Sequence, residues 1–169
     1  MQILTFTVAG QPYAIPSRTV LEVLPLVPVR PIPLLPPYVP GVFTYRGHLV
    51  PLVDLARRFE MPPSEPGGRR RLSTRVIVVT FTPPRVSSAD QPEAPPACPV
   101  RLGVVADNVV SVQTASADES LPTVSGGQSP FLGGLLRLGG STVQMVIVDH
   151  LLPHELLTGL IAAAGVTGP

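Results

Sequence analysis

Proline occupies 23 of the 169 positions, and its placement decides what the rest of the chain can become. Seven prolines fall between Pro25 and Pro40 and six between Pro83 and Pro99. A ring that fixes φ and removes an N–H is excluded from helix interiors and from paired central strands. Between those stretches the chain is aliphatic, with 24 valines and 21 leucines. They lie in alternating or β-branched runs such as Arg75-Val76-Ile77-Val78-Val79-Thr80-Phe81, which suit a pleated, half-buried strand. The pattern predicts a mainly β protein of one domain-sized unit.

Ile3 to Val8 alternates, Ala9-Gly10-Gln11-Pro12 turns, and Tyr13 to Ile15 resumes the extended pattern, which reads as a hairpin. Ser17 stands as an N-cap ahead of Val20, Leu21, Val23 and Leu24, whose spacing predicts a helix of two turns ending at Pro25. Pro25 to Pro40 reads as an extended, polyproline-like connector. Gly41 to Tyr45 and His48 to Val53 are strands joined by the tight turn Arg46-Gly47, with Pro51 marking an edge or bulge. Asp54 caps a helical Leu55 to Phe59. The run Arg69-Arg70-Arg71 is a solvated loop, and 83–99 is a polar, proline-rich surface loop with Cys98 near its end. Val100 to Ala106 and Val109 to Thr114 read as extended or mixed, 116–130 is polar, and Leu132 to Leu138 with Thr142 to Val148 form a strand pair. Asp149 caps a last helix, His150 to Ala164, interrupted by Pro153.

The two halves repeat. Ala14 to Val23 shares its apolar pattern with Gly103 to Val112, an offset of 103 − 14 = 89, and Leu52-Val53-Asp54 answers Ile147-Val148-Asp149, an offset of 149 − 54 = 95. Two segments agreeing at nearly one offset imply two similar β subdomains, 1–82 and 100–155, joined by 83–99 and followed by a helix or tail at 156–169.

Charge narrows the function. All 12 basic residues are arginine, balanced by 11 acidic ones to a net +1, so no positive field gathers phosphates and nucleic acid is excluded as a partner. No basic segment precedes an apolar core at the N-terminus, and nowhere do 18 apolar residues run together, so neither a secretion signal nor direct membrane insertion is expected. A single cysteine fits a reducing cytoplasm.

No catalytic constellation emerges. Asp54 and Asp149 occupy equivalent places, but an aspartyl dyad needs a small hydroxyl residue and glycine after each acid, and here Leu55-Ala56 and His150-Leu151 follow. Helix capping accounts for both acids. His150 and His154 stand four apart but lack a third metal ligand, and Pro153 disturbs the helix between them. Cys98, between Ala97 and Pro99, has no base beside it. Gly133-Gly134 and Gly139-Gly140 mark turns, since no lysine follows to complete a phosphate cradle. The expectation is a protein without catalysis, metal or cofactor.

Tyr13-Ala14-Ile15-Pro16, Val20-Leu21-Glu22-Val23-Leu24, Pro36-Pro37-Tyr38-Val39-Pro40-Gly41-Val42 and Tyr45-Arg46-Gly47-His48-Leu49-Val50-Pro51-Leu52-Val53-Asp54-Leu55 together resemble the CheW-like adaptor family of bacterial chemosensory arrays. The resemblance continues to Phe59 and resumes through Val76 to Val79, Leu102 to Val109, Leu132 to Leu135 and Val146 to Leu152, covering residues 3 to 155. It implies two intertwined five-stranded barrels of SH3-like shape with short helices around a shared core. It also implies a cytoplasmic scaffold, associated with receptor arrays, that couples chemoreceptor tips to a histidine kinase of the CheA type. Carried over by motif, Val20, Glu22 and Val23 fall on the kinase-facing segment, and Arg46 and Gly47 form the turn associated with receptor coupling and barrel packing. For Arg46 a structural salt bridge is the competing account. The proline-rich 25–40 and 83–99 stretches depart from the usual pattern. Two alternatives therefore stand: a divergent adaptor of a non-flagellar chemosensory pathway, and a free-standing β-barrel module with an apolar groove for a small ligand.

Overall fold

The computed structural model describes residues 1–62, 72–82, 99–116, 120–121 and 129–164. The arginine run at 69–71, the loop 83–98 with Cys98, much of the polar stretch 116–130, and the last residues 165–169 lie outside the described residues.

Eleven strands and two helices are described: β1 (Gln2–Val8), β2 (Gln11–Pro16), β3 (Val20–Pro25), β4 (Gly41–Tyr45), β5 (His48–Asp54), α1 (Leu55–Arg58), β6 (Arg75–Phe81), β7 (Val100–Ala106), β8 (Val112–Thr114), β9 (Ser120–Leu121), β10 (Leu132–Leu138), β11 (Ser141–Val146) and α2 (His154–Ala164). One sheet has the order β8-β1-β2-β11-β10-β9 and the other β3-β6-β7-β5-β4. Read in the same direction, the orders correspond strand for strand, β3 with β8, β6 with β1, β7 with β2, β5 with β11 and β4 with β10, with the two-residue β9 as the one addition. Pairing sense corresponds too: β5 with β7 and β11 with β2 are the parallel contacts, and every other neighbour is antiparallel. The sequence repeat thus marks a structural one. The chain leaves one sheet after Pro16 to enter the other at Val20, and returns between Ala106 and Val112, so each sheet draws strands from both halves and the barrels are intertwined.

Alternation along the strands supplies three cores. Val76 and Val78 point into one barrel with Phe43, Tyr45, Val50, Leu52 and Val105, while Ile77 and Val79 point the other way into a core shared between the barrels. Ile3, Ala14 and Met145 fill the second barrel, while Leu4, Phe6, Ile15 and Val146 join the shared core, which Leu55 of α1 and Leu157 and Leu160 of α2 also enter. Each buried aliphatic side chain stabilises by about 1.5–3 kcal/mol relative to exposure, so the period-2 pattern, used on both faces, holds the two barrels as one body.

Local expectations are corrected at several places. Val20 to Leu24 is a strand, preceded by a single 3-10 turn at Ser17–Thr19 whose N-cap residue is Pro16 rather than Ser17. Between Val20 and Glu22 the β3–β6 register shifts, leaving Leu21 as an extra residue. Exposure still alternates along β3, but the outward Leu21 and Val23 are apolar and the inward position between them is Glu22, which gives the apolar residues the spacing of a helix. Asp149 caps nothing: it is exposed inside a 3-10 turn, Val148–His150, and the helix starts at His154, where Leu157 N–H donates to Pro153 C=O at 3.0 Å. Proline tolerates that first turn because its missing N–H has no partner there. The 25–40 stretch is not one extended connector, since it turns at 33–34 and 37–38 and pairs Arg30 with Val42.

Asp54 caps α1 as expected, its Oδ1 accepting from Arg57 N–H at 3.4 Å. Pro51 faces Val42 on β4, and β7 pairs with β5 only from Leu52 onward, so the proline sits where one side of its strand has no ladder. Gly139-Gly140 form a turn, but Gly133-Gly134 lie within β10 at its register irregularity.

Candidate functional site

β3 and β4 are the two edges of their sheet, yet Tyr45 Oη on β4 donates to Glu22 Oε2 on β3 at 2.7 Å. The sheet therefore curls until its first and last strands meet. The same carboxylate oxygen accepts from Arg46 Nη2 at 3.3 Å, and the Arg46 guanidinium carbon lies 5.3 Å from the centre of the Tyr45 ring. Arg101 approaches that ring to 5.9 Å. The phenol's hydrogen bond to the Glu22 carboxylate, followed by its burial, pushes the Tyr45 pKa up, so it stays a donor at neutral pH.

Arg46 and Gly47 are the two residues of the β4–β5 turn, flanked by the pair Tyr45↔His48. Both have positive φ, +47° and +79°, the pattern of the tight turns whose twist matches a hairpin. Glycine accepts this freely; arginine does so at some cost and gains a fixed perch at the barrel rim. The Arg46 and Glu22 side chains are 70% and 39% exposed, so the ion pair is a surface one, contributing about 0.2–1 kcal/mol, and not a buried structural bridge.

A family model for the CheW-like domain matches residues 2–156. The chain belongs to the CheW-like family. Chemotaxis protein CheW of Rhizobium meliloti (strain 1021) is 28% identical over 157 residues, covering 91% of this chain and 88% of that protein. Chemotaxis protein CheW of Treponema pallidum (strain Nichols) is 27% identical over 163 residues, 94% and 86% of the two chains. Protein FrzA of Myxococcus xanthus is 29% identical over 138 residues, 80% and 74% of the two. The crystal structure of the scaffolding protein TtCheW from Thermoanaerobacter tengcongensis superposes with a TM-score of 0.69 at 21% identity, over 90% of this chain and 87% of that one, a likeness of fold.

On this CheW-like framework the five candidate residues divide. Glu22, Arg46 and Gly47 come together at one end of the barrel, so the segment expected to face a kinase and the turn expected to face a receptor are joined through one carboxylate. Val23 is exposed on the edge strand, beside exposed Leu21 and Leu26. Val20 is half-buried and packs on the shared core, so it supports β3 rather than presenting itself outward. Sequence reasoning missed Tyr45, Leu21, Leu26 and Arg101. For Tyr45 a signal existed: it lies two residues after Phe43, hence on the same inward face, with only its hydroxyl long enough to reach the rim. Elsewhere, Asp54 is engaged in capping and in a 3.8 Å pair with Arg57. His150 and His154 are both exposed, and no group of three metal-ligand residues occurs among the described residues. No helix among the described residues is long and apolar enough to cross a membrane.

Proposed function

We propose that the chain is an adaptor of a bacterial chemosensory system, acting by protein binding without catalysis, that joins chemoreceptor tips to a histidine kinase of the CheA type on the cytoplasmic side, within receptor arrays. Val23 and Glu22 on β3, supported from beneath by Val20, form the kinase-facing edge, and Arg46 and Gly47 form the receptor-facing turn. Residues 1–155 act as one unit made of the two repeats. The observation that carries the reading is the Tyr45–Glu22–Arg46 hydrogen-bonded group at the barrel rim. It ties the two surfaces through a single carboxylate, so a partner that reorients Arg46 changes what β3 offers. Such coupling is reciprocal and is expected at about 1–3 kcal/mol.

Membership of a family whose relatives are chemotaxis proteins supports the adaptor class. An adaptor of a chemosensory pathway other than the flagellar one stands as a second reading, with which likeness to Protein FrzA is compatible. Co-sedimentation with receptor-containing membranes, with and without the kinase, tests the proposal. The chain pellets with receptors alone and recruits the kinase when both are present; a chain that stays in the supernatant in both mixtures refutes it.

A further inference from the structure

The chain has only five phenylalanines and three tyrosines, yet Phe6, Tyr13, Phe59 and Phe131 form one ladder, with centroid separations of 6.5, 5.0 and 5.3 Å. At its end the Arg58 guanidinium carbon lies 4.2 Å from the Phe131 ring centre and 4.7 Å from that of Tyr38. Arg58 Nε donates to Leu151 C=O at 2.8 Å. Those contacts join α1, the proline-rich 25–40 stretch and the segments on either side of the β10–β11 hairpin, so the group stands at the junction of the two barrels.

Arg18, Arg30, Arg101 and Arg137 are exposed, and Arg58 differs from the remaining described arginines in how it is satisfied. Arg46 pairs with Glu22, and Arg57 pairs with Asp54 and donates to Pro37 C=O at 3.1 Å. Arg75, half-buried like Arg58, directs Nη1 at the carbonyls of Leu72 and Thr74. Arg58 is half-buried with one N–H used, and among the described residues no carboxylate pairs with it and no acceptor takes its Nη groups. Aromatic contacts hold the planar cation in place, and its remaining N–H donors lie in the guanidinium plane. Half-removed from water and unpaired, it gains most from an anion that accepts two parallel N–H bonds.

We propose that Arg58, held by Tyr38, Phe131 and the Leu151 carbonyl, is a preorganised site for one carboxylate, taken end-on by Nη1 and Nη2. With no second free cation in contact among the described residues, the guanidinium matches the single charge of a carboxylate better than a phosphate dianion. The carboxylate comes either from an acidic side chain of a partner protein or from a small free acid.

The test is NMR of the arginine side-chain N–H groups in the ¹⁵N-labelled full chain, titrated with sodium acetate against sodium chloride at constant ionic strength. Arg58 responds saturably at several-fold lower acetate than the exposed Arg18 and Arg137 in the same spectrum, which serve as internal controls. In Arg58→Lys, which keeps the charge and loses the fork, the saturable acetate response disappears when the shifts of the Tyr38 and Phe131 rings are followed instead. An Arg58 that tracks Arg18 and Arg137, or ignores acetate, overturns the proposal whatever the variant's stability. Adding a chemoreceptor cytoplasmic fragment then identifies the source. If acetate competes with the fragment for the Arg58 signals, the ligand is a partner's acidic side chain; if the fragment leaves those signals untouched while acetate moves them, it is a small free carboxylate. Neither result bears on whether the fragment binds at Arg46, which is read from that residue's own resonance.

Discussion

Gly103 lies on β7 with its missing side chain aimed at the interior of the barrel that Phe43 and Leu52 fill. A Cβ built there meets Phe43 Cε1 at a forbidden distance, Phe43 Cζ at 2.8 Å and Leu52 Cδ1 at 3.0 Å. Carbon pairs prefer about 3.5–4.0 Å, so Gly103→Ala forces both side chains back by several tenths of an ångström or more. Phe43 and Leu52 are 2% and 1% exposed, so neither has space to move into. Overpacking of this kind costs about 1–3 kcal/mol, and in a chain of this length each kcal/mol lowers Tm by about 2–4 °C. Urea unfolding and calorimetry on Gly103→Ala measure the loss. Phe43→Leu removes the clashing ring atoms, so the double variant is less destabilised than the two single ones summed, by about 1 kcal/mol. The counterpart in the other barrel, Ala14, already carries a Cβ and is fully buried among Ile3, Leu136, Val143 and Met145, which leave room for it. A Gly103→Ala protein within about 0.5 kcal/mol of wild type, additive with Phe43→Leu, refutes this account of the barrel interior.

Three further outcomes follow from the rim. Arg46→Glu shifts stability by no more than about 1–2 kcal/mol, because it exchanges a surface attraction for a surface repulsion, and thermal melting shows a Tm within a few degrees of wild type. Gly47→Ala places a Cβ at φ +79°, where nothing crowds it but the backbone is strained, and it costs about 1 kcal/mol in denaturant unfolding. The Tyr45 pKa is raised in the folded state, so its contribution is complete below the ordinary phenol value near 10 and is lost as pH rises through the higher folded value. Urea midpoints measured from pH 8 to 11 fall at the alkaline end, and less steeply in Tyr45→Phe, although the raised pKa of Tyr13 keeps part of the slope.

Strands whose apolar residues kept a simple period were legible in the sequence: β6, β7 and the hairpins around Arg46-Gly47 and Gly139-Gly140 lie where alternation and turn chemistry put them. β3 was not, because its exposed positions Leu21 and Val23 are apolar and Glu22 sits between them, which imitates the spacing of a helix over five residues. Asp149 misled for a related reason: its likeness to Asp54 is real in the repeat, but Pro153 sets the start of α2 four residues on. The Glu22–Arg46 contact was beyond sequence reasoning from the residues alone. It spans 24 positions and depends on the sheet closing until β3 reaches β4, which no local pattern encodes. The Arg58 group is of the same kind, since Leu151 lies 93 positions away and Phe131 comes from the other repeat.

Isothermal titration calorimetry tests the adaptor reading most directly, with the chain titrated into the kinase's regulatory domain and, separately, into a chemoreceptor tip fragment from its own organism. Wild type binds both, and Arg46→Glu weakens the receptor titration by about 5–150-fold, equivalent to about 1–3 kcal/mol, while its melting midpoint stays within a few degrees. No heat in either wild-type titration, or identical affinities for wild type and Arg46→Glu in both, contradicts it.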